Sequence, residues 1–173
     1  VSARASLIDD AHPNAECEAE SVSAYSDGVV TDGEFIHRYV YSPLHLHDGK
    51  VVTALFSDAK DKGLSCERSG SSAPRGELHA RGIAQVESFN ANRKPTQGER
   101  TYVGAVVASV GAVRALKVAD ERAYGVYDTA LRENTAHVDV IELPSAFKSL
   151  SKSQQKLARL MLTEAFTDEP ITA

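Results

Sequence analysis

The segment Ala136-His137-Val138-Asp139-Val140-Ile141-Glu142-Leu143 (residues 136–143) decides the fold class. Val138 and Val140 alternate with His137 and Asp139, the period of two that belongs to a strand. It reads as a strand with one polar face, ended by Pro144, which cannot donate to a ladder. Downstream, Ser151-x-x-Gln154 has the pattern of a capping box, in which each side chain satisfies a backbone donor of the other. Leu157, Leu160, Met161 and Ala165 follow as one apolar stripe to about Phe166, with Pro170 beyond it. Such a helix is stable only when its stripe is buried against another element, and the strand before it supplies one.

Upstream the strand signals recur. Tyr124–Tyr127 is short, and Tyr102–Ser109 is rich in Val and Ala, as a central strand is. Gly111–Leu116 reads as a turn or a single helical turn. In residues 75–92, Leu78, Gly82, Val86 and Phe89 share a helical face, and the segment is read as a helix despite its glycines. Leu64–Arg68 is a short strand. Phe35-Ile36-His37-Arg38-Tyr39-Val40-Tyr41 is β-branched and aromatic, a strand ended at Ser42-Pro43. His47-Asp48-Gly49-Lys50 holds a turn-forming Asp-Gly, and Val51–Phe56 is a strand or short buried turn. The expectation is a single α+β domain over 31–168. A mixed or antiparallel sheet of five to six strands is packed by the 151–166 helix and the 75–92 helix, and 169–173 form a tail.

The 173 residues, 25% charged and 42% hydrophobic, suit one domain with its own core and exclude collagen, a coiled-coil rod and a wholly disordered chain. Two cysteines cannot build a disulfide framework or a zinc ribbon; Cys17 and Cys66 read as reduced thiols, which points to the cytoplasm. No apolar run reaches the roughly 18 residues of a membrane span, and no secretory signal pattern is visible, so no membrane association is expected. Residues 1–37 carry Arg4 alone against eight acids, while the remainder is nearly neutral. Residues 1–30 are therefore expected to be an acidic, mobile or loosely docked lead. The charge layout argues against general binding of duplex nucleic acid. A basic patch in the middle remains, with Lys60, Lys62, Arg68, Arg75, Arg81, Arg93, Lys94 and Arg100 close in sequence.

Polar clusters set the functional expectations. His45-Leu46-His47 would share a face on a strand, but no third ligand follows, so no metal is expected. Without G-x-G-x-x-G or a P-loop, no nucleotide cofactor is expected either. Ser65 with His137 and Asp139 or Asp128 would supply nucleophile, base and orienter, although no G-x-S-x-G elbow surrounds Ser65. Arg132-Glu133-Asn134-Thr135-Ala136-His137 resembles the R-x4-H motif of HEPN ribonucleases, which implies an all-helical dimer. Arg38, Ser65 and Glu142, in order on three predicted strands, resemble the Arg-Ser-Glu arrangement of ADP-ribosyltransferases. That resemblance implies Arg38 on a pyrophosphate, Ser65 on the nicotinamide side and Glu142 on a ribose hydroxyl; the Ser-Thr-Ser and Glu-x-Glu signatures of that family are absent.

The reading is a non-catalytic binding or accessory module for a small anionic ligand or a protein partner. The alternative is a small nucleotide- or nucleic-acid-processing enzyme using Arg38, Ser65, Arg68 and His137. A ligand site would gather these four residues, with His45 and His47 at its edge. Arg38 lies inside an apolar strand and needs an anionic partner. Arg68 precedes a Ser-Gly loop with backbone donors. His137 opens a half-buried strand beside Asp139.

Overall fold

The computed structural model describes residues 16–20, 23–60, 62–70 and 75–172. Its strands are β1 (Phe35–Ser42), β2 (Leu46–His47), β3 (Lys50–Val51), β4 (Leu64–Ser69), β5 (Thr101–Ser109), β6 (Lys117–Val118), β7 (Glu121–Arg122), β8 (Tyr124–Asp128) and β9 (His137–Glu142). Its α-helices are α1 (Gly76–Asn92), α2 (Val110–Arg114), α3 (Pro144–Phe147) and α4 (Lys152–Ala165). Five strands form one antiparallel sheet in the order β5-β1-β4-β9-β8, and the pairs β2–β3 and β6–β7 are separate hairpins. The fold is α+β with a C-terminal helix, as the alternation at 136–143 and the capping box at Ser151 indicate.

The two faces of the sheet differ in chemistry. Ile36, Val40, Leu64, Cys66, Val106, Ala108, Val126, Val138 and Val140 belong to one apolar core. The 3-10 helix Thr53–Ala59 covers it with Leu55 and Phe56, α2 with Val110 and Val113, and α4 with Ala158 and Leu162. The opposite face carries His37, Tyr39, Ser65, Glu67, His137 and Asp139, because side chains alternate across the pleat. On that side α1 packs Leu78 against Tyr39 and Ala105. Gly82 is the point of closest approach: a Cβ there would stand 2.4 Å from the Tyr102 ring. The glycine that weakens the helix signal is thus the one that lets the helix reach the sheet.

All six residues of β9 are buried, including His137, Asp139 and Glu142. The polar face of this strand is largely shielded from water, with His137 left 7% exposed at the cavity. The hairpin 129–136, closed by reciprocal backbone bonds between Leu131 and Asn134, folds back toward it. The stripe of α4 also departs from expectation. Leu157 and Leu160 are 53% and 43% exposed, and the helix rests instead on Ala158 and Leu162, with Met161 and Ala165 partly buried.

Both sheet edges are covered, which removes the open ladder that invites strand addition. Along β5, Ile171 exchanges two backbone bonds with Ala105 (3.1 and 2.8 Å). Gly104, at φ +145°, allows that tail to pass, since a Cβ would lie 2.7 Å from the Ile171 carbonyl oxygen. Along β8, the Glu18 carboxylate accepts the Val126 N–H, and Arg114 donates to the Val126 carbonyl at 3.1 Å. Arg114 and Arg122 both pair with the same Glu18, which is 7% exposed. Val30 is 3% exposed in the core. The described part of the acidic lead is therefore tied to the body by the buried Glu18 carboxylate, and also by the Ser23 hydroxyl on the Ala130 carbonyl and by Arg68 and Arg114 on the Gly28 and Val30 carbonyls, contacts that composition cannot reveal.

Candidate functional site

β1 and β4 pair at only three positions, ending at His37 opposite Glu67, and Glu67 pairs in turn with His137 on β9. This row of His37, Glu67 and His137, with Ser65 opposite Asp139 beside it, makes a polar floor on a buried sheet face. Past His37 the two strands separate. Arg38 bridges the gap by donating to the Ser65 carbonyl at 2.9 Å, and its other terminal nitrogen lies 3.5 Å from Asp58 on the 3-10 helix.

Glu67 is the centre of the floor. It is 3% exposed and accepts hydrogen bonds from three elements: Arg81 of α1, Tyr39 of β1 and Asn134 of the hairpin. Arg81 holds it with two nitrogens, a fork matched to a carboxylate. The hydrogen bond to Glu67 raises the Arg81 pKa further above its already high range. Burial, then the bond and charge of Glu67, push the Tyr39 phenol well above the ordinary tyrosine value. Both shifts describe a locked network in which Arg81 stays charged and Tyr39 keeps its proton.

Two cavities flank this network and share Glu67, Arg81, Glu133 and Asn134 as a common wall. One, of about 560 Å³, is lined by His37, Arg38, Tyr39, Tyr41, Ser65, Gln85, Ser88 and His137 among others. The other, of about 470 Å³, has Arg68, Arg75 and Arg132 together with Asp27, Glu34, Glu77 and Glu133, so its charges are mixed. Both volumes suit a small organic ligand. In the first cavity Tyr41 donates to Gln85 Oε1 at 2.7 Å, and burial pushes its phenol up to about 12.

Of the residues singled out from sequence, Arg38, Ser65 and His137 line the first cavity. Arg68 lines the second, where it bonds the Gly28 carbonyl at 2.8 Å and lies 3.7 Å from Glu34. His45 and His47 line neither cavity. His45 is buried and accepts the Tyr41 N–H on Nδ1, whereas His47 is exposed beside Asp48. Among the described residues no group of three His, Cys, Asp or Glu side chains is placed to hold a metal ion. No described helix is long and apolar enough to cross a membrane.

The catalytic arrangements suggested by spacing take other forms. Ser65 Oγ is 3.5 Å from Asp139 Oδ1, so the carboxylate, not His137, is the partner of the hydroxyl. Thr129 stands between Asp139 and His137, donating to Asp139 Oδ2 at 2.8 Å and lying 2.9 Å from His137 Nδ1. Burial raises the Cys66 thiol to about 12, which leaves no thiolate for attack near neutrality. Glu142 pairs with Arg159 at 3.1 Å, and its strand position puts it on the opposite face from Ser65; Arg38, Ser65 and Glu142 do not converge. Arg132 is exposed on the hairpin tip while His137 is buried at the start of β9, in a fold that is not all-helical.

Sequence reasoning missed Tyr39, Glu67, Arg81 and Asn134. One signal was present: Glu67 sits two residues from Ser65 on the same short strand, hence on the same face. No protein-family model matches the chain, and the searches of curated proteins and of solved structures found no match either.

Proposed function

We propose that this chain is a binding module for a small organic anion, held in the 560 Å³ cavity between α1, the floor of β1, β4 and β9, and the 129–136 hairpin. The observation that carries the reading is the buried polar floor itself. Burying His37, Glu67, His137 and Asp139 on a sheet face gains less than apolar packing would, because each group gives up hydration. Such departures from a consistent core concentrate at functional sites. Arg38 brings positive charge to the lining, shared with the Ser65 carbonyl and Asp58, Tyr39 and Tyr41 supply flat walls, and Gln85 and Ser88 stand at the exposed rim.

The test is a thermal-shift screen of the full chain with nucleoside mono- and diphosphates, NAD, dicarboxylates and short oligonucleotides. A ligand that binds only the native state stabilises it by about 2.7 kcal/mol at a hundred times its dissociation constant. Small anions are expected to raise the melting temperature, and Ser88→Trp is expected to abolish that rise while leaving the unliganded value unchanged. No shift with any small anion, or a shift that survives Ser88→Trp, would count against the cavity.

A nucleotide-processing enzyme is the second reading, favoured by Arg38, Ser65 and His137 lining one cavity. The bond of Ser65 to Asp139 and the engagement of Arg68 with Gly28 and Glu34 weigh against it. Incubation with NAD and nucleoside diphosphates, followed by chromatography of the products, separates the two.

A further inference from the structure

We infer that His137 selects the ligand by presenting Nε2 as a hydrogen-bond acceptor, so that the fitting molecule is an organic acid that also carries a hydroxyl or N–H donor. This rests on the cavity being the binding site. The argument is a count of protons. Thr129 has one hydroxyl proton and gives it to Asp139 Oδ2 at 2.8 Å. Toward His137 Nδ1, 2.9 Å away, its Oγ1 therefore offers only lone pairs. The Thr129 carbonyl oxygen, 3.1 Å from the same nitrogen, offers only lone pairs as well. The oxygen Asp139 Oδ2, which accepts the Thr129 proton, lies 3.9 Å off. Three acceptors face Nδ1, so Nδ1 carries the proton, and in the neutral ring Nε2 is left with the lone pair.

Nε2 has no partner among the described residues and is not sealed off as a buried unpaired atom, while His137 lines the cavity. The lining around it is mixed: the Glu67 carboxylate is already taken up by Arg81, Tyr39 and Asn134, Glu133 stands on the exposed hairpin, Arg38 is a cation bonded to the Ser65 carbonyl, and Gln85, whose Oε1 accepts from Tyr41, has its NH₂ left to give. An anion satisfies these donors but leaves Nε2 unpaired. An anion with a hydroxyl or N–H satisfies both, and a site built to bond such a group rejects the analogue that lacks it. Thr129 and Asp139 are positioning residues here: they touch no ligand and act through the imidazole.

The experiment uses the full chain labelled with ¹⁵N-histidine at pH 8, where long-range proton–nitrogen spectra distinguish the two neutral tautomers. His137 is expected to show a protonated Nδ1 and an unprotonated Nε2. His45 is the internal control with the reverse pattern, because the Tyr41 N–H donates into its Nδ1 at 3.2 Å. A second measurement reads access to the lone pair. Diethylpyrocarbonate acylates an unprotonated imidazole nitrogen, with ethyl carbonate leaving. His137 is expected to react within tenfold of the rate of exposed His47, and at least tenfold more slowly in Ser88→Trp. An Nε2-protonated tautomer at His137, or no reaction there while His47 is fully modified, overturns the inference. If an anion binds but the tautomer is reversed, this inference fails alone. If the tautomer is as assigned and no anion binds, the binding reading fails and takes the selector role with it.

Discussion

At the scale of single residues, the site depends on where small and neutral groups are kept. Gly63 adopts φ +76°, and a Cβ there would meet Asp139 Oδ1 at 2.9 Å, so the glycine serves both the backbone turn and the seat of the carboxylate. His45 is held neutral beside the site. Burial, then the charges of Arg38 and Arg100, lower its pKa to about 4, against the opposing pull of Asp58. The unfolded chain binds this proton near the ordinary value of 6.5 and the native protein does not until about pH 4. Between those values the unfolded state holds more protons, so stability falls as pH falls through this window. Wild type is expected to lose about 2 kcal/mol more between pH 7 and pH 4.5 than His45→Asn, whose side-chain oxygen can still accept the Tyr41 N–H. Urea titrations at the two pH values measure the difference; equal losses would show that His45 does not carry it. Arg38, Ser65 and His137 were legible as candidates because polar groups on apolar strands stand out. Glu67 was not, since its partners Arg81, Tyr39 and Asn134 are scattered along the chain and meet only in the fold.

At the scale of elements, the contrast between two hairpins shows what local chemistry can and cannot announce. In β2–β3 the turn residues Asp48 and Gly49 have φ of 50° and 76°, and Asp-Gly is the pair such a turn favours. In β6–β7 the same geometry falls on Ala119 and Asp120, at φ 51° and 66°, so nothing in the residues signals it. The left-handed region costs alanine roughly 1 kcal/mol. Ala119→Asn with Asp120→Gly, both at exposed positions, is expected to raise stability by about 1 kcal/mol and the melting temperature by about 3 °C. Scanning calorimetry checks it, and an unchanged midpoint would refute it. The β9 alternation reveals a strand at once, yet not that its polar face is roofed, because the roof is a hairpin whose packing depends on Glu67. In α4 the spacing of Leu157 and Leu160 reveals a helix, but the face that docks is chosen by Ala158, small enough to lie against the core.

At the scale of the whole molecule, the buried Glu18 carboxylate is the ionic tie between the start of the described lead and the body. Glu18→Ala would leave Arg114 and Arg122 facing each other and the Val126 N–H without its acceptor. The expected cost is about 3 kcal/mol, read as a lower urea midpoint with unchanged slope. A change within a few tenths of a kcal/mol would mean that the lead is held elsewhere. The strand order also has a consequence during synthesis. β1 sits between β4 and β5, and both of its partners emerge from the ribosome after it, β5 by some 60 residues. At roughly 5–20 residues per second, β1 waits several seconds for β5 with that ladder open, although β4 follows sooner. Its Phe35–Tyr41 run is aromatic and β-branched around His37 and Arg38, and its unpaired backbone groups are a template for wrong pairing until then. Local β8–β9 pairing needs no such delay: β9 follows β8 within about ten residues, so that hairpin can close as soon as it is made.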